Sequence, residues 1–243
     1  MPKNINKITS AGLLIALGII YGDIGTSPLY VFNAIIGGRE ISDDLIIGSL
    51  SCIIWTITLQ TTIKYVILIL TADNNGEGGT FALYALVRRR KKWLVFPAML
   101  GGAALLADGI ITPPISITSA VEGLRKLPGL HNIESNVIVI IVLAILVAFF
   151  FLQQFGTAAI GKTFGPIMFV WFSMLAVLGL AHIMDDLSIF KALNPYYAIR
   201  FLVVYPHGFW LLGAVFLCAT GAEALYSDLG HCGRGNIRIT WVF

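Results

Sequence analysis

The sequence predicts an all-α polytopic membrane protein with a single transmembrane domain, residues 1–243, and three observations support this fold class. Hydrophobic residues make up 57% of the chain, charged residues only 12%, and the mean hydropathy is +0.86. Too few charges are present to solvate the surface of a soluble domain of this size. The apolar residues also fall into runs close to the ~20 residues that a helix needs to cross a bilayer.

Hydropathy divides the chain into six predicted spans. Their approximate limits are 10–36, 45–71, 94–121, 136–152, 164–184 and 208–230. If the N-terminus is inside, the segments on the inner side hold ten Lys and Arg residues and those on the outer side hold five. The run Arg88–Lys92 dominates this bias, so we expect both termini in the cytoplasm and this run at anionic lipid headgroups. The expected location is the cell (plasma or inner) membrane.

The first predicted span contains the most unusual segment of the chain, Tyr21–Tyr30, with the sequence YGDIGTSPLY. Gly22, Gly25 and Pro28 weaken a helix at its centre, so we expect this helix to be broken. Irregular backbone at membrane depth is tolerated only where it is buried in protein or lines an aqueous cavity. An ionisable residue in such a place indicates function, and Asp23 is therefore the first candidate site residue.

The second span holds one basic residue, Lys64, about two turns before its inner end, and we expect the ammonium to snorkel to that interface in a structural role. The following loop, Asp73–Gly79, spaces its oxygen atoms like the start of a calcium loop. Tyr84 stands where such a loop needs a bidentate glutamate, which argues against calcium. The loop instead predicts a tight turn leading into a short amphipathic helix.

The third span places Asp108, Thr112 and Ser116 four residues apart, which puts them along one helical face. Pro113 and Pro114 lack amide hydrogens, so backbone carbonyls one turn earlier are left without their usual partners. For Asp108, a cation or proton site explains why a carboxylate is retained in the membrane. For Thr112 and Ser116, packing between helices remains an equally good explanation.

The sixth span contains a second acidic centre next to a glycine. Thr220 and Gly221 precede Glu223, and Gly221 weakens the helix there. Asp228 and His231 lie nearer the inner end, where an interfacial or gating role is favoured over contact with a substrate. Glu223 is thus the third acid, after Asp23 and Asp108, to be placed at membrane depth.

The first and sixth spans also share a short internal match, in which Gly25–Tyr30 aligns with Gly221–Tyr226. The two predicted helices run in opposite directions across the membrane, as an inverted repeat of five spans requires. Both copies fall on a span with a glycine-interrupted acidic centre, the sequence pattern typical of a transporter binding site.

Several classes of function find no support in the residues. The sequence has no Ser-His-acid set, zinc motif, Walker loop or dinucleotide fingerprint, so no enzymatic activity and no cofactor are expected. The net charge of +3 includes no patch suited to nucleic acid. The cysteines lack metal-ligand spacing and are expected to be free thiols: Cys52, Cys218 and Cys232.

Seven motifs occur in an order and at intervals that resemble the KUP/HAK/KT family of potassium uptake permeases. They are YGDIGTSPLY, ADNNGEGG, DGIITPPIS, GLRKLPGL, FGPIMFVWF, ALNPYYA and TGAEALYSDLGH, and together they extend over nearly all of the chain. The resemblance implies a core like that of the amino-acid/polyamine/organocation superfamily, with two inverted five-helix repeats and broken first and sixth helices. It also implies potassium import coupled to protons.

The resemblance further implies a set of site residues. Carried over position by position, the family's potassium ligands correspond to Asp23, Tyr30, Asp108, Thr112, Ser116 and Thr220. Glu223 is similar to the acid that handles the coupling proton. Some relatives carry Glu at the position of Asp108, so the division of roles between Asp108 and Glu223 stays open.

The expected function is potassium uptake by K+/H+ symport with alternating access, and the expected partners are the potassium ion, the proton and membrane lipid. Two alternatives stay open: transport of an amino acid or organic cation, and a truncated fragment that inserts without transporting. Family members have about twelve spans, so this chain corresponds to the first repeat and the first helix of the second. The oligomeric state is also open, with a homodimer as one option.

Overall fold

The computed structural model describes residues 6–129, 131–154 and 157–242, and all regular elements in these ranges are helical. The α-helices are α1 (Ser10–Ile19), α2 (Tyr21–Thr26), α3 (Pro28–Ile36), α4 (Asp43–Thr56), α5 (Thr80–Val87), α6 (Val95–Glu122), α7 (Ser135–Gln153), α8 (Thr157–Ile183), α9 (Pro195–Val204), α10 (Gly208–Phe216), α11 (Ala224–Ser227), α12 (Leu229–Cys232) and α13 (Arg234–Val242). A π-helix, Ile57–Leu68, continues α4. Short 3-10 turns lie at Ile69–Thr71, Lys92–Leu94, Gly123–Lys126, Leu187–Leu193 and Leu217–Ala219.

Within the described residues, five helical segments are long and apolar enough to cross a membrane. They are Asp43–Thr71, Lys92–Lys126, Ser135–Leu152, Thr163–Ile183 and Gly208–Ser227, and they overlap the second to sixth predicted spans. This all-helical arrangement confirms a polytopic membrane protein. The inverted repeat of five plus five helices remains a prediction.

The first predicted span is divided into α1, α2 and α3, but its backbone is not unwound at the two divisions. The two joints, Ile20 and Ser27, keep right-handed helical torsion angles. The amide of Ile20 still donates to the carbonyl of Ala16 at 3.0 Å, and that of Val31 to Ser27 at 3.0 Å. The interruption expected here therefore takes the form of two divisions between short helices, without loss of helical torsion angles.

The sixth segment, in contrast, loses helical geometry. After α10 and its 3-10 turn, Thr220 is extended (φ −61°, ψ 137°) and Gly221 has a φ of +88°. A residue with a side chain rarely adopts this positive φ, which explains the glycine. Glu223, two residues after Gly221, is the N-cap of α11, so the helix is broken at the predicted place.

Two hydrophobic cores hold these interrupted segments. The first core joins α1, the start of α2, the end of the π-helix, α8 and α11–α13, and Tyr21 and Ala222 belong to it. The second core joins α3, α4, α9 and α10, and it contains Tyr30 and Cys218. Each interrupted segment thus passes from one core to the other, and the interruptions lie at the seam between them.

Glycines allow α1 and α8 to pack closely within this arrangement. A Cβ added at Gly165 would lie 2.4 Å from the carbonyl oxygen of Leu14, and one added at Gly18 would lie 2.5 Å from the amide nitrogen of Gly165. Backbone-to-backbone contact of this kind is typical of small residues between membrane helices.

The loop after the second span forms the predicted turn. Asn74 and Glu77 pair their backbones, and a carboxylate oxygen of Asp73 accepts the amide of Gly76 at 3.0 Å. The other oxygen of Asp73 accepts from Arg234 at 2.5 Å. These two interactions, the Gly76 amide first, lower the pKa of Asp73 below its ordinary value. The loop is thereby fastened to α13, and α5 follows it as a short helix. The expectation that this helix is amphipathic is wrong, because nearly all of its residues, TFALYALV, are apolar.

Candidate cation site

Three carboxylates meet at the seam between the two cores. Asp23 lies on α2, Asp108 lies in the middle of α6, and Glu223 lies between the break at Gly221 and α11. One carboxylate oxygen from each acid lies within 4.8 Å of the other two. All three residues are partly buried, and none forms an ion pair with a basic side chain within the described ranges.

This spacing creates an electrostatic requirement. Two unit charges about 5 Å apart repel by roughly 3 kcal/mol at an effective dielectric constant of about 20, and three ionised acids would have three such pairs. A cluster of this kind becomes favourable when a cation or a proton neutralises part of its charge. Carboxylate oxygens are ligands that hard cations prefer. The cluster can therefore hold a cation, a proton or both.

The break in the sixth segment lets Asp23 approach. A Cβ added at Gly221 would lie 2.7 Å from Oδ2 of Asp23 and 2.8 Å from its Cγ, so the carboxylate packs directly on the glycine. On the other side of α2, the indole of Trp171 on α8 donates to the carbonyl of Gly25 at 2.9 Å. Contacts from α8 and from the break thus fix the position of the helix that carries Asp23.

The four hydroxyl groups predicted for the site lie in different surroundings. Thr112 donates to Oδ1 of Asp108 at 2.8 Å and so belongs to the acid cluster. Thr220 lies in the broken segment and lines the same cavity as Asp108. The hydroxyl of Tyr30 hydrogen-bonds with that of Ser27 at 3.0 Å. Ser116 has a buried Oγ for which the described part of the chain supplies no hydrogen-bond partner.

The structure therefore brings together five of the seven predicted residues, namely Asp23, Asp108, Thr112, Thr220 and Glu223. Tyr30 and Ser116 lie on α3 and α6, which pack against each other. Among the described contacts neither one reaches an acid oxygen of the cluster. The assignment of these seven residues as potassium and proton ligands remains a prediction.

A cavity of about 500 Å³ adjoins the cluster. Its wall includes Asp108, Thr220 and Glu223 and, facing them, Gln60, Lys64, Tyr65 and Thr80. Lys64 lines this cavity with an exposed side chain, and its snorkelling to the interface remains a prediction. Gln60 and Lys64 are four residues apart in the sequence, a spacing that places two side chains near one face of a helix.

Fold and site together define a polytopic membrane protein with an acidic, oxygen-lined centre at a helix break. Comparison with known families gives the particular assignment: the chain belongs to the family described as K+ potassium transporter integral membrane domain, whose model matches residues 10–243. This confirms the resemblance deduced from the seven motifs.

The chain is also similar to curated bacterial proteins. It is 65% identical over 242 residues to a "Probable potassium transport system protein Kup" of Cytophaga hutchinsonii, and the match covers 98% of the chain and 36% of the relative. Proteins of the same name from Flavobacterium johnsoniae and Clostridium perfringens are 60% and 58% identical, each with 37% of its own length covered. The chain thus spans a little over a third of the length of these relatives. No solved structure matches it.

Proposed function

We propose that this chain provides the cation-binding part of a potassium uptake permease of the cell membrane. The observation that carries the proposal is the cluster of Asp23, Asp108 and Glu223, whose oxygens lie within 4.8 Å of one another at the broken sixth segment. Membership of the potassium transporter family, and the names of its relatives, supply the choice of ion.

In the proposed site, potassium binds between Asp23 and Asp108, with hydroxyl oxygens from Thr112, Thr220 and the more distant Tyr30 and Ser116 completing its shell. The orphaned Oγ of Ser116 suits this role, because a buried hydroxyl without a partner gains from a ligand. The helix ends at the extended backbone of Thr220, so the negative end of the dipole of this half-helix lies at the site, which favours a cation.

Charge balance supports coupling to protons. One potassium ion leaves two of three negative charges uncompensated, and a proton on Glu223 removes another. Repulsion within the cluster thus falls when both ligands are present, which is the condition for symport. In the proposed cycle, protonation of Glu223 permits the step to the inward-open state. We also propose that both termini are cytoplasmic, because basic residues are concentrated in the loops on that side.

Rubidium binding tests the site. The purified chain in lipid nanodiscs is titrated with radioactive rubidium, and Asp23→Asn is expected to weaken binding by about ten- to a hundredfold, the value of a lost charged ligand. Asp185→Asn, an exposed change outside the five long apolar segments, is the matched control. Undiminished rubidium binding by Asp23→Asn would overturn the assignment.

Proton coupling and transport need separate measurements. Glu223→Gln is expected to bind rubidium without the pH dependence of the parent chain, because it lacks the titrating group. Growth of a potassium-uptake-deficient strain at low potassium, with this chain as the sole added transporter, tests transport itself. Binding without growth would show that the chain holds the site but does not complete the cycle.

A further inference from the structure

The cavity beside the acid cluster contains a positive charge that the proposed site does not use. Among the described residues of its wall, Lys64 is the single cation, and Asp108 and Glu223 are the anions. Lys64 thus shares the wall of a cavity of about 500 Å³ with two of the three acids of the cluster.

The local contacts keep this ammonium on the cavity wall. Nζ of Lys64 donates to Oε1 of Gln60 at 3.2 Å and lies 5.2 Å from the centre of the Tyr65 ring. Both partners line the same cavity. Within the described part of the chain no carboxylate lies within ion-pairing distance of Nζ. The positive charge is thus not neutralised by a carboxylate, and it belongs to an exposed side chain on the wall of the cavity.

A cluster of three carboxylates attracts divalent cations more strongly than potassium, and a nearby positive charge reduces this preference. Carboxylates suit Mg²⁺, Ca²⁺ and Mn²⁺, and the attraction of the cluster for a divalent ion is twice that for a monovalent ion at equal distance. A fixed positive charge nearby repels the ligand in proportion to the ligand's charge. Its penalty on a divalent ion is therefore also twice as large.

We propose that Lys64 is a specificity-determining residue that lowers the affinity of the acid cluster for divalent cations relative to potassium. Gln60 and Tyr65 position its ammonium for this purpose. This inference rests on the proposed function, since it requires that a cation binds at the cluster. It assigns the ammonium to discrimination between ions rather than to anchoring at the membrane surface.

The test compares rubidium binding with its competition by Ca²⁺ and Mn²⁺ in the purified chain and in Lys64→Gln. Repulsion between unit charges at a distance on the order of 10 Å, with an effective dielectric constant near 20, corresponds to about tenfold in affinity. Lys64→Gln should therefore tighten rubidium binding about tenfold and divalent binding about a hundredfold. Lys64→Arg keeps the charge and should retain the discrimination of the parent chain.

The controls separate charge at the cavity from charge elsewhere. Lys126→Gln removes the same charge at the far end of the helix that carries Asp108 and should leave both affinities unchanged. Lys64→Met, with an apolar chain of similar length, also removes the charge and should show the same changes in affinity. It replaces Lys64→Gln if that variant fails to fold. An unchanged ratio of divalent to rubidium affinity in a folded Lys64 variant that lacks the charge would overturn this inference alone. Failure of the parent chain to bind rubidium would overturn the proposed function and this inference with it.

Discussion

The break at Gly221 offers a direct test of how the backbone positions the acid cluster. Gly221→Ala would place a Cβ 2.7 Å from Oδ2 of Asp23 on a residue whose φ is +88°. The positive φ costs an alanine about 1–2 kcal/mol, and displacing the carboxylate adds about 1–3 kcal/mol of overpacking. We expect an unfolding free energy lower by roughly 2–5 kcal/mol and rubidium binding at least about tenfold weaker, because Asp23 must move.

Gly213→Ala is the matched control for this substitution. Gly213 lies on α10 in the same segment, and an added Cβ there meets no atom within 4 Å. Thermal unfolding in detergent gives the stability difference, and rubidium titration gives the affinity. If Gly221→Ala unfolds at the temperature of Gly213→Ala and binds rubidium equally well, then neither the strained backbone nor the contact with Asp23 matters.

Two further predictions concern helix packing and the loop that contains Asp73. Gly165→Ala should lower the unfolding free energy by about 1–3 kcal/mol, because its Cβ would lie 2.4 Å from the carbonyl oxygen of Leu14, whereas Gly179→Ala on the same helix meets open space and should be neutral. Asp73→Asn should reduce stability by about 1–3 kcal/mol at neutral pH through the loss of its charged bond to Arg234, measured by denaturant unfolding of the chain.

The stability difference between the parent chain and Asp73→Asn should depend on pH with a defined sign. The pKa of Asp73 is lower in the folded state than in the unfolded state. Its contribution to the free energy of unfolding is therefore complete above the ordinary Asp pKa and disappears as the pH falls through the pKa of the folded state. The stability of the parent chain should therefore fall toward that of Asp73→Asn in acid. A difference between the two proteins that persists unchanged at low pH would contradict this explanation.

Much of the helix arrangement could be predicted because hydropathy reports directly on length and burial. The second to sixth predicted spans overlap the five long apolar segments, with ends that differ by a few residues. The three acids could also be found, since a carboxylate within an apolar run has few explanations other than a site. A shared site requires the three acids to lie close together, but the distance of 4.8 Å between their oxygen atoms comes from the structure.

The first helix shows why a breaker pattern alone was insufficient. Pro28 occupies the first turn of α3, where its missing amide is tolerated. Gly25 serves close packing, because a Cβ there would lie 2.5 Å from the ring of Phe172, and its carbonyl accepts from Trp171. These long-range contacts stabilise helical geometry in a segment that local propensity predicts to be broken.

Lys64 shows the complementary limit. Hydropathy records how deep a residue lies along a helix but not which way it faces, and the π-helix that carries Lys64 changes the angular spacing of its side chains. The bond to Gln60 and the contact with Tyr65 then hold the ammonium on the cavity wall. The four-residue spacing of Gln60 and Lys64 is typical of a shared helix face, whereas the cavity that both side chains line is formed by tertiary packing.

The position of the acids at the seam between two cores links the fold to the proposed cycle. The first segment leaves the first core after Tyr21 and enters the second by Tyr30, and the sixth passes in the opposite sense from Cys218 to Ala222. A small displacement of one core against the other would therefore change the distances between the carboxylates while each core keeps its apolar packing. Because repulsion among the acids varies inversely with these distances, binding of a cation or proton would bias that displacement.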